Sequence, residues 1–263
     1  MSLLDEVLTD LGAESDALDG VVAPLDDLGW RTQTPAEGWD VATQIAHLAW
    51  TDEATVAAAT SSPAWDQLVT DAHDDLGSLV DRAATAGSEA GPTEILSRWR
   101  RSRAAVSEAL RAVPRGTRIP WFGPPMGATS AATARFMETW AHSVDVHEAL
   151  GVEPPRTDRV RHVALLGVLT RAFAFTVHDR PAPEEPVFVS LTLPSGAQWT
   201  HGEPGATNVV SGSAHDFALR VTQRRHRADL DLVAEGHVAD EWLDLAQAFA
   251  GPPGPGRPPV DNS

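Results

Sequence analysis

Glu138 and His142 stand four residues apart in the segment Arg135-Phe-Met-Glu-Thr-Trp-Ala-His-Ser-Val-Asp145. On a helix that spacing puts both side chains on one face, about 6 Å apart at Cβ. A carboxylate and an imidazole aimed at one point are two ligands of a divalent-metal site, and the third must come from another helix. His47, in Thr43-Gln-Ile-Ala-His-Leu-Ala-Trp50, is the best candidate. Two imidazoles and one carboxylate leave coordination positions open for water or substrate, as catalytic rather than structural zinc sites do. A metal so held lowers the pKa of bound water to about 7 or keeps a thiol ionised at neutral pH.

Each residue alone has a plainer reading. Most Glu/His pairs at this spacing are solvated or pair with Arg, and a lone His in an apolar stretch is more often a core histidine. Here Phe136, Met137, Trp140, Val144 and Leu150 crowd the first helix, and Ile45, Ala46, Leu48, Ala49 and Trp50 surround His47. Two such oddities are better explained jointly. Asp145, one turn beyond His142, is either an acceptor that orients the imidazole or a solvated group; Asp52 and Glu53 share that ambiguity. His147 reads as surface. His73, His162, His178, His201, His215, His226 and His237 show no ligand spacing.

Composition narrows the chemistry. The 263 residues contain no Cys, no Tyr and no Lys, so the twenty basic residues are all Arg. This excludes a disulfide framework, a cysteine nucleophile, a thiolate metal site, a lysine Schiff base and a standard P-loop. Any thiol must come from a cofactor or substrate. With nitrogen and oxygen ligands only, Zn²⁺ is the first expectation, with Fe²⁺, Ni²⁺ and Mn²⁺ as alternatives. A net charge of −17 argues against nucleic acid as a partner. No apolar run spans a membrane, and the start carries no secretory pattern, so a cytoplasmic location is the expectation. The Arg-rich, Lys-free usage points to a GC-rich genome.

Elements must carry these residues. Apolar spacing predicts helices over 3–28, 41–59 (capped by Asp40), 64–85, 93–113 and 130–150 (capped by Thr129 or Ser130), and then 157–178. The segment Ile119-Pro-Trp-Phe-Gly-Pro-Pro-Met-Gly127 forbids a regular helix; it forms either a pocket wall or a rigid connection. Pro181 to Pro186 is a linker. Strands are expected over 187–193, 197–200 and 207–211, and helices over 213–225 and 239–249. The fold class is therefore α plus α+β: a helical bundle over 1–155, a helix plus a small α+β domain over 156–250, and a Pro/Gly-rich tail over 251–263, extended or disordered.

Three segments carry a family resemblance: Gly38-Trp-Asp-Val-Ala-Thr-Gln-Ile-Ala-His-Leu-Ala-Trp50, Gly123-Pro-Pro-Met126 and Met137-Glu-Thr-Trp-Ala-His-Ser-Val-Asp145. The chain resembles the DinB-like four-helix-bundle superfamily, and within it the actinobacterial metal-binding proteins related to mycothiol-dependent maleylpyruvate isomerase. The resemblance implies His47, Glu138 and His142 as metal ligands and mycothiol as a thiol cosubstrate. It implies a sterol-carrier-like C-terminal domain for the second half, and leaves homodimerisation open. In Ala218-Leu-Arg-Val-Thr-Gln-Arg-Arg-His-Arg227, Arg224 is the closest match to a functional Arg, with Arg220 and Arg225 as rivals. It would hold a substrate carboxylate; the plainer reading is a solvated helix end. The Thr-Gln-Arg-Arg-His-Arg stretch departs from the isomerase pattern, so maleylpyruvate itself is not implied. The expected function is a metal-dependent, thiol-using isomerase or transferase acting on a small electrophilic carboxylate. The alternatives are a metal-hydroxide hydrolase without thiol, or a non-catalytic metal- or ligand-binding protein.

Overall fold

The structure is a computed structural model and describes residues 1–73, 75–251, 253–254 and 256–260. The chain forms two compact units, Met1–Pro154 and Pro155–Ser263. Part of the 251–263 tail, whose form the sequence left as extended or disordered, lies outside the described residues; its described part holds no helix or strand.

The first unit is built from helices α1 (Leu3–Val22), α2 (Asp27–Trp30), α3 (Val41–Ala59), α4 (Pro63–Ala72), α5 (Leu76–Ser88), α6 (Pro92–Ala112) and α7 (Ala128–Leu150). α1 opens on a capping box, Ser2 with Asp5. The expected helix over 3–28 ends at Val22, because Pro24 cannot continue it; Asp26 caps the short α2. The expected helix over 64–85 is two, α4 and α5, and Asp75 caps the second. Gly87 lies inside α5, beyond the expected end at 85: a Cβ there would stand 3.1 Å from the Cβ of Ala46, so glycine lets α5 close onto α3 beside His47. Gly127 caps α7 with no side-chain bond, rather than Thr129 or Ser130.

α1, α3, α6 and α7 make the bundle, with α5 laid on α3. Its core joins Leu18 and Val22, Trp30, Val41, Ile45 and Leu48, Ile95 and Trp99, and Val146. Arginine ties the helices on the outside. Arg100 grips Asp19 through two bonds of 2.6 and 2.7 Å, and Arg98 grips Glu53 through bonds of 2.8 and 2.6 Å.

The second unit holds α8 (Arg161–Leu169), α9 (Arg171–Val177), β1 (Val187–Thr192), β2 (Gln198–His201), β3 (Asn208–Ser213), α10 (Ala214–Val221), β4 (Leu232–Glu235) and α11 (His237–Leu245). The expected helix over 157–178 breaks at Thr170, whose hydroxyl bonds the carbonyls of Leu166 and Gln247. The sheet runs β2-β1-β3-β4, with β1 and β3 parallel and the outer pairs antiparallel. β4 was not expected from sequence. Val187, Val189 and Leu191 point inward, and Phe217 meets Trp242 edge-on at 5.7 Å.

Candidate metal centre

Two polar stripes run along otherwise apolar helices. On α3, Gln44, His47 and Asp52 are buried; on α7, Arg135, His142 and Asp145 are buried, with Glu138 between them. The stripes face each other: Gln44 meets His142, His47 meets Glu138, and Asp52 meets Arg135. As residue numbers rise on α3 they fall on α7, so the two helices run antiparallel and the contacts form a ladder.

The middle of the ladder is the candidate site. Nε2 of His47 lies 3.3 Å from Oε2 of Glu138, and Nε2 of His142 lies 3.4 Å from the same oxygen. One ligand atom from each of the three residues lies within 4.8 Å of the others. A cation about 2.0–2.2 Å from each donor needs separations of this size. The Glu138 side chain keeps 25% exposure while those of His47 and His142 keep 7% and 11%, so the carboxylate marks the side nearer solvent. Burial pushes the Glu138 carboxyl up, but the hydrogen bonds and charge of His142 and His47 outweigh it and hold the group well below the usual carboxylate range. Such a group is an anion at neutral pH, as a metal ligand must be. The donor set therefore fits a divalent cation, and it contains no sulfur.

The support around the two imidazoles is unequal. Nδ1 of His142 meets Oε1 of Gln44, and Asp145 lies 4.0 Å away on the same side. Gln44 thus occupies the orienting place for which the sequence offered Asp145. Nδ1 of His47 is buried and finds no hydrogen-bond partner among the described residues. Trp39 lies against both rings, 5.1 Å from His47 and nearly parallel to His142 at 5.9 Å.

Next to the site, Asp52 accepts from Nε of Arg135 at 2.9 Å and from the Ser102 hydroxyl at 3.2 Å. Burial pushes the Asp52 carboxyl up against the pull of Arg135 and Ser102. Glu53 faces the other way, to Arg98. The loop before α7 packs as an aromatic cluster: Trp121 stacks on Trp65 and Phe122 on Trp50, the residue one turn past His47. His147, expected on the surface, is 1% exposed, with Nδ1 on the carbonyl of Ser143 at 2.7 Å. It lies on the apolar-packed side of α7, which a helix buried nearly all round has in place of a solvent face.

The family model described as the mycothiol maleylpyruvate isomerase N-terminal domain matches residues 11–147. The chain belongs to this family. A protein called uncharacterized in Mycobacterium tuberculosis, from strains CDC 1551 / Oshkosh and ATCC 25618 / H37Rv, is 50% identical over 250 residues, 95% of this chain and 97% of the relative. Crystal structures of the mycothiol-dependent maleylpyruvate isomerase and of a point mutant of it share the fold. Their TM-scores are 0.59 and 0.60 at 17% and 16% identity, covering 88% of this chain and 92% of theirs.

Several arginines of the second unit bond its own backbone or carboxylates. α10 ends in a Schellman turn: the amide of Gln223, at φ +58°, bonds the carbonyl of Arg220, and the amide of Arg224 bonds the carbonyl of Leu219 at 2.8 Å. Arg220 then donates to the carbonyls of Leu243 and Asp244, both at 2.6 Å, closing the end of α11. Arg227 pairs with Asp240 and Asp244. Arg224 donates from Nη1 to the carbonyl of Thr222 at 2.8 Å. A cavity of about 650 Å³ is lined by Arg220, Arg225 and Arg227 among others, and Arg224 is not one of its lining residues.

Proposed function

We propose that this protein is a divalent-metal-dependent enzyme that uses a small thiol, mycothiol, to isomerise or transfer onto a small electrophilic carboxylate. The observation that carries the reading is the meeting of two imidazole nitrogens and one carboxylate oxygen, at 3.3 and 3.4 Å, between two antiparallel helices. Membership of a family named for mycothiol maleylpyruvate isomerase supports the thiol. The absence of any Cys means that the sulfur is not the protein's own.

His47, Glu138 and His142 would hold the cation, with Zn²⁺ first among divalent metals. When bound, such a cation supplies the positive charge that keeps a coordinating thiol deprotonated at neutral pH. The side chains do the rest. Glu138 brings one negative charge, so the occupied site keeps net positive charge for an anionic sulfur. Gln44 orients His142. Trp39 shields the imidazoles from bulk water, which strengthens every charge interaction at the site. The thiolate sulfur would add to the electrophilic carbon. The π pair of the attacked carbon–carbon double bond would pass to the conjugated carbonyl as an enolate. Rotation about the resulting single bond and return of that pair with expulsion of the same thiolate completes an isomerisation, and protonation of the enolate by water with the carbon–sulfur bond retained completes a transfer. We assign to Arg224 the recognition of the substrate carboxylate through its fork of N–H donors, and to the second unit a sterol-carrier-like fold. No single helix among the described residues is long and apolar enough to cross a membrane, and we place the activity in the cytoplasm.

The test is calorimetry of the metal-loaded protein with mycothiol, beside elemental analysis. About one metal per chain and saturable thiol binding are expected. Metal without thiol binding would overturn the thiol reading and favour a metal-hydroxide hydrolase. No metal after reconstitution with Zn²⁺, Fe²⁺ and Ni²⁺ would overturn both.

A further inference from the structure

The ladder contact between Gln44 and His142 is one link in a closed ring of contacts, and the ring determines where a proton sits. A backbone carbonyl can only accept. The carbonyl of Trp39 accepts from the Thr34 hydroxyl at 2.7 Å, which uses the only proton that hydroxyl has. The same hydroxyl oxygen lies 2.8 Å from the side-chain nitrogen of Gln44, so toward Gln44 it must accept. The Gln44 amide is therefore oriented with its NH₂ toward Thr34 and its oxygen toward His142. An amide oxygen cannot donate, so Nδ1 of His142, which meets it, must carry the hydrogen. Asp145, 4.0 Å from Nδ1, favours the same placement. Gln44 is 0% exposed, which keeps solvent from competing for either end of the amide. The Trp39 ring, stacked on His142, closes the ring of contacts.

We propose that Thr34 and Gln44 are positioning residues that hold Nδ1–H of His142 on the Gln44 oxygen and so leave Nε2, beside Glu138 and His47, as the nitrogen that a cation would take. Thr34 lies outside the helices that carry the three ligands. Without its hydroxyl, the Gln44 NH₂ loses its acceptor in a buried setting, which costs free energy unless the amide turns over. A turned amide offers N–H to Nδ1 and so favours the tautomer with the hydrogen on Nε2, where it competes with a cation. The proposal rests on the metal reading only for its consequence, since the proton placement stands without any metal.

The experiment has two arms. In metal-free ¹⁵N-labelled protein at about pH 8, above the ordinary imidazole range, long-range ¹H–¹⁵N correlation spectra assign the protonated nitrogen of His142. We expect Nδ1–H; a bare Nδ1 in the wild type would overturn the proposal with no variant needed. In the second arm, Zn²⁺ affinity is measured by chelator competition for T34V, T34S and Q44L, with melting curves to confirm folding. T34V and Q44L are expected to lose roughly 10–100-fold in affinity, and T34S to retain it. Wild-type affinity in folded T34V and Q44L would also overturn the proposal. Nδ1–H in a wild type that binds no Zn²⁺ would uphold the relay and sink the metal reading instead.

Discussion

The ligand triad of the first unit and the arginine cluster of the second were singled out by the same kind of reasoning, yet the structure treats them differently. His47, Glu138 and His142 sit well inside helices of 19 and 23 residues, where spacing in sequence translates directly into position on a face. Arg220, Arg224, Arg225 and Arg227 straddle a helix end. The Schellman turn at Gln223 redirects the backbone between Arg220 and Arg224, and Arg224 is left out of the cavity that Arg220, Arg225 and Arg227 line. Residue spacing predicts convergence where the backbone is regular for several turns on both sides, and loses that power across a cap. Burial differs too. The α3–α7 ladder is closed from solvent except at Glu138, whereas the Arg227 partners Asp240 and Asp244 are more than half exposed.

The sharpest way to break this contrast is His47→Ala beside Arg224→Ala. Elemental analysis should find about one metal per chain in the wild type, none in His47→Ala or Glu138→Ala, and full loading in Arg224→Ala. Retained metal in His47→Ala would separate the ladder from metal binding. Next in size is Asp52→Ala, which leaves the Arg135 guanidinium buried without its counter-charge; urea unfolding should show a loss of about 3–5 kcal/mol. Arg220→Ala removes two bonds that close α11 and should cost about 1–3 kcal/mol, with metal content unchanged. A change in metal loading there would erase the proposed division of labour. Arg224→Ala should raise KM for an anionic substrate roughly tenfold, about 1.4 kcal/mol, and leave neutral thiol binding untouched; steady-state kinetics separates the two. The smallest effect concerns pH. The Glu138 carboxyl is held low in the folded state, so its contribution to stability is complete above the ordinary carboxylate range and is lost as pH falls through the depressed value. Unfolding curves of wild type and Glu138→Gln should therefore differ at neutral pH and converge in strong acid; a constant gap would refute the assigned shift.

Much of the bundle was legible because apolar spacing and caps are local signals: Asp40 caps α3 as expected, and α3, α6 and α7 lie within two residues of their expected bounds. What the sequence hid were breaks and close approaches. Nothing local distinguishes Gly87 inside a helix from Gly87 ending one; the nearby Ala46 decides it. The same holds for the supporting residues. Gln44 and Arg135 stand three residues before His47 and Glu138, a spacing that marks them as neighbours on the same face, but an uncharged amide and a common Arg raise no alarm without their partners across the helix pair. Thr34 and Trp39 carry no periodic signal, since they lie in a loop.

The sequence by itself determined which side chains share a helix face, and therefore which ligands were available, because 3.6-residue periodicity is a property of one segment. It also determined, through its missing Cys and Lys, which chemistries the chain does not perform with its own groups. Only the tertiary structure decided that α3 and α7 run antiparallel in a register that sets His47 against Glu138 and Gln44 against His142. That register is a consequence of core packing among Ile45, Leu48, Val146 and their neighbours, contacts distant in sequence whose free energy depends on every helix being in place at once.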